Sequence, residues 1–334
     1  MNFRLPGALI ALAFITVSCE DEPLTAPAKE PVKEVAQAQT PEAAKPEPAA
    51  APVPATEVKA EPAIEVKPEP APSPAKPVAV KPRAAFWSEV TLHEAIRAKN
   101  PGYTGNAQFQ IDPNGQPVAI ALDNCGVTDI SIFGSMQLKA LYLLGCPVVK
   151  VDALKGMPLV ELYLENTAVK DLSPLAGNAT IQKLYLSNTD VVDLSPLKGA
   201  PIVEMNLLNT KVTDLTPLAT MPIQMLWLTD TKVEDISPLA KCPLVSVTLH
   251  RTLVKDLTPF ANTRLQRLHI GETPVTDLTP LKNLPLTRLV FDPDKIKVGM
   301  DVAKSIPSIR EIGTKFEDGQ NDLKPPAVFW SSRE

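Results

Sequence analysis

The stretch Leu162-Tyr163-Leu164-Glu165-Asn166-Thr167-Ala168-Val169-Lys170-Asp171-Leu172-Ser173-Pro174-Leu175 recurs with small changes through the second two-thirds of the chain. Leu164 serves as the reference position of this repeat and is called the anchor below. Successive anchors are 21 or 22 residues apart: Leu122, Leu143, Leu164, Leu186, Leu207, Leu228, Leu249, Ile270 and Phe291. Anchors in such constant register identify a repeat array.

Each repeat predicts one strand and one helical turn. Leu162 and Leu164 point to one side of the strand and Tyr163 to the other. So short a strand is stable only when it is stacked on its neighbours, which predicts a parallel sheet over a continuous core. In the following motif we expect Ser173 to cap a short helical turn and Pro174 to take its first position. The positions predicted to point inward in this repeat are Leu159, Leu162, Leu164, Val169, Leu172 and Leu175.

The pattern resembles the leucine-rich repeat family, in particular the bacterial internalin-like type with 21–22-residue repeats. The resemblance covers residues 117–312 and implies an α/β solenoid: a horseshoe with a parallel β-sheet on its concave face and short 3-10 or helical turns on its convex face. It says little about the ligand, because this fold serves many partners. The motifs that carry it are Asp171-Leu172-Ser173-Pro174-Leu175, Asp193-Leu194-Ser195-Pro196-Leu197, Asp214-Leu215-Thr216-Pro217-Leu218 and Asp277-Leu278-Thr279-Pro280-Leu281.

One departure from the family is consistent. The family often has Asn three residues after the anchor, where this chain has Thr or Cys, as at Thr167 and Cys146. These side chains offer fewer hydrogen bonds to the turn than an Asn ladder would.

Residues 85–116 are predicted to form an N-terminal cap over the end of the core. Thr91 and Glu94 fit a capping box, which predicts a helix over 92–99. A strand follows at residues 107–111, and Pro113-Asn114-Gly115 indicates a hairpin into the first repeat. At the other end, residues 313–334 are expected either to fold back as a C-terminal cap or to form a free tail.

The N-terminal residues 1–18 are predicted to be a signal peptide. Arg4 precedes an apolar run, Leu5 to Val17, that is shorter than the roughly 20 residues of a spanning helix. The sequence Thr16-Val17-Ser18-Cys19 resembles a bacterial lipobox, which implies lipidation of Cys19. The alternative is an ordinary signal peptide cleaved nearby. By resemblance to enterobacterial sorting signals, Glu20 favours the outer membrane.

Residues 19–84 are predicted to be a disordered linker. They consist largely of Pro, Ala, Glu, Lys and Val and contain almost no side chains that could build a core. We interpret this segment as a tether that lifts the solenoid off a membrane. The alternative is that its composition has drifted and its length matters little.

The residue before each anchor should point out of the sheet, away from the core. Neither core packing nor the repeat pattern requires aromatic residues there, and Tyr and Trp are typical binding residues. We therefore predict a ligand-binding surface, with stacking along the sheet as the alternative. This column consists of Ala121, Tyr142, Tyr163, Tyr185, Asn206, Trp227, Thr248, His269 and Val290, and the predicted binding residues are Tyr142, Tyr163, Tyr185, Asn206, Trp227, His250, Arg267 and His269.

Charge along this surface is uneven. Acidic residues lie on the early strands (Glu161, Glu165, Glu204) and basic residues at or near the late ones (Arg251, Arg264, Arg267, Arg288). Such a gradient could orient a partner, or it could be a solvated surface. His250 and His269 are not expected to bind a metal, since no Asp, Glu or Cys clearly completes a site.

Two further residue types recur. Asp129, Asp171, Asp193, Asp214, Asp235, Asp256 and Asp277 belong to the repeat motif, and we expect them to bind locally at the turn rather than to hold a calcium ladder. Cys125 and Cys146 occupy the same position in adjacent repeats. Strands about 4.8 Å apart permit a disulfide, but in-register side chains do not converge well, so two buried thiols are expected.

These features favour a non-enzymatic binding module, exported and lipid-anchored in the cell envelope, that recognises a protein, a peptide or an envelope glycan. The sequence contains no phosphate loop, zinc-type cysteine pairs or nucleophile elbow, so no cofactor is expected. A net charge of −5 and a secretory leader disfavour nucleic acid. We expect a monomer. The alternatives are an envelope scaffold whose Pro-rich spacer is the working element, and an enzyme of unrecognised type.

Overall fold

The computed structural model describes residues 86–317 and 320–333. Within them, eleven strands form one sheet in chain order. The first two strands pair antiparallel and every later neighbour pairs parallel. The strands are β1 (Gln108–Ile111), β2 (Pro117–Ala121), β3 (Ala140–Tyr142), β4 (Glu161–Tyr163), β5 (Lys183–Tyr185), β6 (Glu204–Asn206), β7 (Met225–Trp227), β8 (Ser246–Thr248), β9 (Arg267–His269), β10 (Arg288–Val290) and β11 (Glu311–Gly313).

The parallel strands pair without a shift from repeat to repeat. Leu141 lies opposite Leu162, and Leu162 lies opposite Leu184. Every inward position predicted for this repeat is buried, from Leu159 to Leu175. These side chains belong to one continuous hydrophobic core that also includes the two ends of the array. Burial of each leucine contributes about 1.5–3 kcal/mol to the free energy of folding before the loss of conformational entropy. The unit Pro82–Glu334 therefore has a hydrophobic core of its own.

A short 3-10 helix follows each strand from β2 to β10. It lies at the position of the predicted motif except after β10, where it begins two residues after the anchor Phe291. These helices are Ser131–Ser135, Asp152–Leu154, Ser173–Leu175, Ser195–Leu197, Thr216–Leu218, Ser237–Lys241, Thr258–Phe260, Thr279–Leu281 and Pro293–Lys295. The prediction that Ser173 caps the turn is wrong, because Ser173 is the first helical residue and Leu172 occupies the capping position without a side-chain bond. The carboxylate of Asp171 accepts the Ser173 N–H instead, at 2.8 Å.

All seven aspartates of the motif make this same contact with the N–H two residues later. The predicted local role of these aspartates is therefore confirmed. Their carboxylates replace the intrahelical acceptor that the first N–H of a helix lacks.

The turn after each strand depends on two adjacent residues. The threonine three residues after the anchor is buried, and its hydroxyl donates to the anchor carbonyl, as from Thr210 to Leu207 at 2.8 Å. The preceding residue has a positive φ and is Asn in four repeats, among them Asn188 and Asn209. Asn tolerates this left-handed conformation better than most residues. An Asn ladder thus exists one position before the expected one: Asn209 donates to Asn188 at 2.8 Å, and Asn188 to Asn166 at 2.9 Å.

The N-terminal helix α1 (Glu89–Lys99) begins earlier than predicted. The assignment of Thr91 as N-cap and Glu94 as its partner is wrong. Ser88 is the N-cap, its hydroxyl accepts the Thr91 N–H at 3.2 Å, and the Thr91 hydroxyl accepts the Ser88 N–H at 2.9 Å. Thr91 can act either as the capping residue or as the reciprocal partner, and the serine three residues earlier gives it the second role.

Asn100 ends α1, as predicted, and connects it to the first repeat. It is buried, its amide donates to the carbonyls of Ile96 and Asp129, and its oxygen accepts the N–H groups of Thr128 and Asp129. The predicted hairpin is present between β1 and β2. Its turn is held by Asp112, which accepts from the N–H groups of Asn114 and Gln116.

At the C-terminal end, helix α2 (Met300–Ser305) replaces the usual 3-10 segment. After β11 the chain forms a second small sheet of β12 (Phe316–Glu317) and β13 (Gln320–Asn321), then helix α3 (Pro326–Ser331). Phe329 of α3 is buried, and its ring centroid lies 6.4 Å from that of Phe291. This part of the tail therefore packs on the last repeat.

The predicted signal peptide (1–18), Cys19 and the linker (19–84) lie outside the described residues. Within the described part of the chain, no helix combines the length and apolar character that crossing a bilayer requires.

Candidate functional site

The outward side of the sheet, called the exposed face below, contains the residues before each anchor. Because β3, β4 and β5 pair in register, Tyr142, Tyr163 and Tyr185 lie side by side. All three are partly exposed, as are Asn206 and Trp227 on the next two strands. The predicted column is therefore present from β3 to β7.

The aromatic rings of this column touch one another. The ring centroids of Tyr142 and Tyr163 are 4.8 Å apart, and those of Tyr163 and Tyr185 are 4.3 Å apart with the rings 6° from parallel. Trp227 approaches Tyr185 to 6.1 Å across the intervening strand. On that strand, the Asn206 side chain accepts the N–H of Leu208, two residues further along the chain. Tyr142, Tyr163, Tyr185 and Trp227 are called the aromatic row below.

Two glutamates hold the hydroxyl groups of the row. Tyr142 donates to Glu161 at 2.7 Å, and Tyr185 donates to Glu204 at 3.0 Å. Each glutamate lies on the next strand along. Lys183 lies between them and pairs with Glu161 at 3.2 Å. These bonds fix the orientation of the Tyr142 and Tyr185 rings, because both hydroxyls have a charged acceptor.

Burial and neighbouring carboxylates keep the tyrosines protonated. Burial, then the charges of Glu161 and Glu204, raise the pKa of Tyr163 to about 12. The pKa values of Tyr142 and Tyr185 are also raised, chiefly by burial. At physiological pH the row therefore presents neutral apolar rings with hydroxyl donors, which suits binding rather than proton abstraction.

The far end of the exposed face differs from the prediction. His250, His269 and Val290 are buried rather than exposed, because the chain folds back after β11. The Thr314 carbonyl lies against Gly271, and Asp322 lies against Gly313. The binding role predicted for His250 and His269 therefore lacks the exposure it requires.

Two arginines at this end form ion pairs with neighbouring carboxylates. Arg251 binds Asp230 through two nitrogens at 2.6 and 2.8 Å, and Arg288 binds Glu311 at 2.6 Å. Burial, then the charges of Arg288, His250 and Arg267, lowers the pKa of His269 to about 4. Among the described residues, no group of three metal-ligating side chains occurs.

Comparisons with known proteins identify the fold. The chain matches no family model and no curated protein sequence. It is similar in structure to the internalin InlF of Listeria monocytogenes, with a TM-score of 0.55 and 24% identity over 69% of this chain and 70% of the other. Internalin C2 of the same species gives a TM-score of 0.52 and 24% identity over 62% and 95%. The fold is a leucine-rich repeat solenoid.

A plant relative of this fold is also similar. The leucine-rich repeat ectodomain of the Arabidopsis thaliana receptor kinase GASSHO1/SCHENGEN3, solved with CASPARIAN STRIP INTEGRITY FACTOR 2, gives a TM-score of 0.50 and 17% identity. The match covers 60% of this chain and 27% of the other. Likeness at this level of identity extends to the fold alone.

The solenoid also has a polar groove that was not predicted from the sequence. A shallow groove of about 1050 Å³ runs along the turns that follow the strands. Asn166, Asn188 and Asn209 of the ladder line it, together with Asp190 and Lys211, which pair at 2.6 Å. The sequence feature that could have predicted this groove is the Asn that stands two residues after several anchors.

The cysteines of the solenoid are buried free thiols. Cys146 donates to the carbonyl of Leu122 at 2.9 Å, while Cys125 lies 3.5 Å from the carbonyl of Asp123. Burial raises the pKa of Cys125. The prediction of two buried thiols is confirmed, and neither group has the environment of a reactive cysteine.

Proposed function

We propose that this leucine-rich repeat protein binds another protein or a peptide through the exposed face of its sheet and that it is not an enzyme. The observation that carries the proposal is the aromatic row, in which each of four rings contacts the next along a partly exposed surface. Rigid aromatic side chains lose little conformational entropy on binding and bury a large area. An envelope glycan is a further ligand of compatible chemistry, since sugars also bind to aromatic surfaces.

We further propose that the protein is an exported monomer held to the outer membrane by a lipid on Cys19. Residues 19–84 would then serve as its spacer. This part of the proposal rests on the sequence, namely the apolar leader, the lipobox-like Thr16-Val17-Ser18-Cys19 and the Pro-rich composition. Metabolic labelling with a fatty acid analogue tests it: label should enter the wild type and be absent from Cys19→Ser.

The binding proposal is tested by affinity capture from an envelope extract. Residues 82–334 serve as bait, beside a Tyr142→Ala/Tyr163→Ala/Tyr185→Ala variant whose folding is checked by circular dichroism. A matched control replaces Val149, Val192 and Leu253 by Ala, since these are exposed apolar residues outside the strands. A partner retained by the wild type and the control but lost by the tyrosine variant supports the exposed face as the binding surface.

Equal recovery by all three proteins would contradict the proposal. Stacking along the sheet would then be the sole role of the tyrosines, and the scaffold function of the Pro-rich spacer would gain support.

A further inference from the structure

Carboxylates lie on both sides of the aromatic row. Glu161 and Glu204 are the first residues of β4 and β6, so they lie on the side of the row where the strands begin. Asp123 and Glu165 lie on the other side, directly after the anchors Leu122 and Leu164. These four residues are called the acidic flanks below. A row of rings bordered on both sides by negative charge is chemically distinct from the rest of the exposed face.

The positive charge near the row is smaller than the negative charge. Lys183 pairs with Glu161, and no other ion pair involves the acidic flanks among the residues that the structure describes. Asp123 instead accepts the Leu144 N–H at 3.1 Å, and Glu165 accepts the Ser187 hydroxyl at 3.1 Å. The surface therefore has three carboxylates without a cationic partner.

Asp123 is exposed and Glu165 is partly exposed, and the protein removes part of the water around both carboxylates. Desolvation raises the pKa of Asp123 and that of Glu165, and the charge of Asp123 adds to the effect on Glu165. A nearby cation would lower both pKa values and offset the free energy lost on desolvation. A positive charge on either side of the rings would therefore be electrostatically favoured.

The geometry of the rings restricts how such a charge is held. Tyr163 and Tyr185 cover one another's faces, so a ligand meets mainly ring edges and hydroxyl groups there. Long aliphatic side chains pack well on apolar edges while their charged ends reach outward. Lysine and arginine combine an apolar stem with a cationic end in this way.

We propose that the aromatic row binds a basic segment of a partner protein, with lysine or arginine stems on the rings and their charged ends at the acidic flanks. The inference rests on the proposed function and specifies the chemistry of the ligand. Charge complementarity carries it: the tyrosine end of the exposed face is acidic, whereas Arg251 and Arg288 at the other end are already paired.

Calorimetric titration of residues 82–334 with defined probes tests the inference. The probes are a blocked decapeptide of alternating lysine and serine, its glutamate–serine counterpart, and a chitosan oligomer that carries amines on a sugar. The lysine peptide should bind, more weakly as salt rises, and the glutamate peptide should not. Asp123→Asn/Glu165→Gln should lower its affinity about tenfold, because both replacements keep the hydrogen-bond acceptor but remove the charge.

A charge-matched control is Asp152→Asn/Glu234→Gln, at two exposed positions outside the sheet. It should change the affinity by less than about twofold, since screening weakens distant charges. Equal losses in the two double variants, binding of the glutamate peptide, or binding of the chitosan oligomer alone would each overturn the inference. So would much weaker peptide binding by the full chain, because a segment of its own linker, in which lysines alternate with glutamates, would then be the occupant.

Failure of this inference differs from failure of the proposed function. If the tyrosine variant loses the captured partner while Asp123→Asn/Glu165→Gln retains it at full strength, the exposed face is the binding surface and the basic ligand is wrong. If neither variant affects capture, both proposals fall.

Discussion

The rings of Tyr163 and Tyr185 stack 4.3 Å apart and within 6° of parallel across two neighbouring strands. In-register pairing places the two residues side by side, and the hydroxyl of Tyr185 is fixed by Glu204. The stack contributes to the sheet, and it also sets the shape of the surface that a partner would meet. Stability and binding can therefore be measured separately at the same residues.

Removal of the central ring should destabilise the sheet. Tyr163→Ala loses contacts with both Tyr142 and Tyr185, and each aromatic pair contributes about 0.5–1.5 kcal/mol beyond burial. We expect the free energy of unfolding, measured in urea, to fall by about 1–3 kcal/mol. Thr248→Ala in the same column is the control, because Thr248 carries no ring. A loss no larger than that of the control would show that stacking contributes nothing.

Acid should weaken the 3-10 turns through their aspartates. Hydrogen bonds from the backbone and side chains of Ser173 and Thr216 hold the pKa values of Asp171 and Asp214 below their ordinary range. A carboxyl whose pKa is lower in the folded state contributes stability that is complete above its unfolded pKa and is lost as pH falls through the folded pKa. The melting temperature should therefore drop below about pH 4.

Asp171→Asn/Asp214→Asn should show a flatter dependence of melting temperature on pH over that range, with a lower value at neutral pH. The control is Asp152→Asn, which removes a carboxylate at an exposed 3-10 position. Parallel curves for the double variant and the wild type would refute the role given to these aspartates.

The buried threonines should contribute through their hydroxyl groups. Thr210 donates to the carbonyl of Leu207 at 2.8 Å. Thr210→Val keeps the shape but loses this bond, so unfolding in urea should require about 1 kcal/mol less. Thr213→Val, at an exposed position in the same repeat, should change stability much less. Equal effects at the two positions would mean that the hydroxyl bond adds nothing.

His269 should make the protein less stable as the pH falls below neutral. Its folded pKa of about 4 lies below its ordinary value of 6.5. The unfolded chain therefore binds a proton first, and stability declines from about pH 6.5 down to about pH 4, by on the order of 3 kcal/mol. NMR titration of the ring measures the pKa directly, and a value of 6.5 or above would contradict the burial argument.

His269→Gln should flatten the dependence of unfolding free energy on pH between about 6.5 and 4. His93→Gln is the control, since His93 lies in the N-terminal cap, 2.7 Å from the Tyr103 hydroxyl.

Repeat periodicity predicts this fold because a local pattern, copied many times, can bury its leucines in only one way. Leu162 and Leu164 predict the strand and the core, and both are buried in it. Errors arose where one residue can take two roles. Thr91 fits a cap and a cap partner, and Ser173 fits a cap and a first helical residue; the outcome depends on Ser88 and on Asp171.

The candidate site could be predicted only in part. The position of Tyr142, Tyr163 and Tyr185 follows from strand alternation, so the column was accessible from sequence. The burial of His250 and His269 was not, because it depends on how residues after Gly313 fold back. The contact between Tyr185 and Trp227 was also not predictable, since it joins side chains on strands that are not neighbours in the sheet.

The exposed face as the binding surface is tested most directly by photo-crosslinking in living cells. A benzophenone amino acid is placed at position 163, in the aromatic row, or at position 176, an exposed alanine next to the 3-10 helix Ser173–Leu175. We predict a discrete crosslinked partner from position 163 and none from position 176. The same product from both positions, or from position 176 alone, would contradict the proposal.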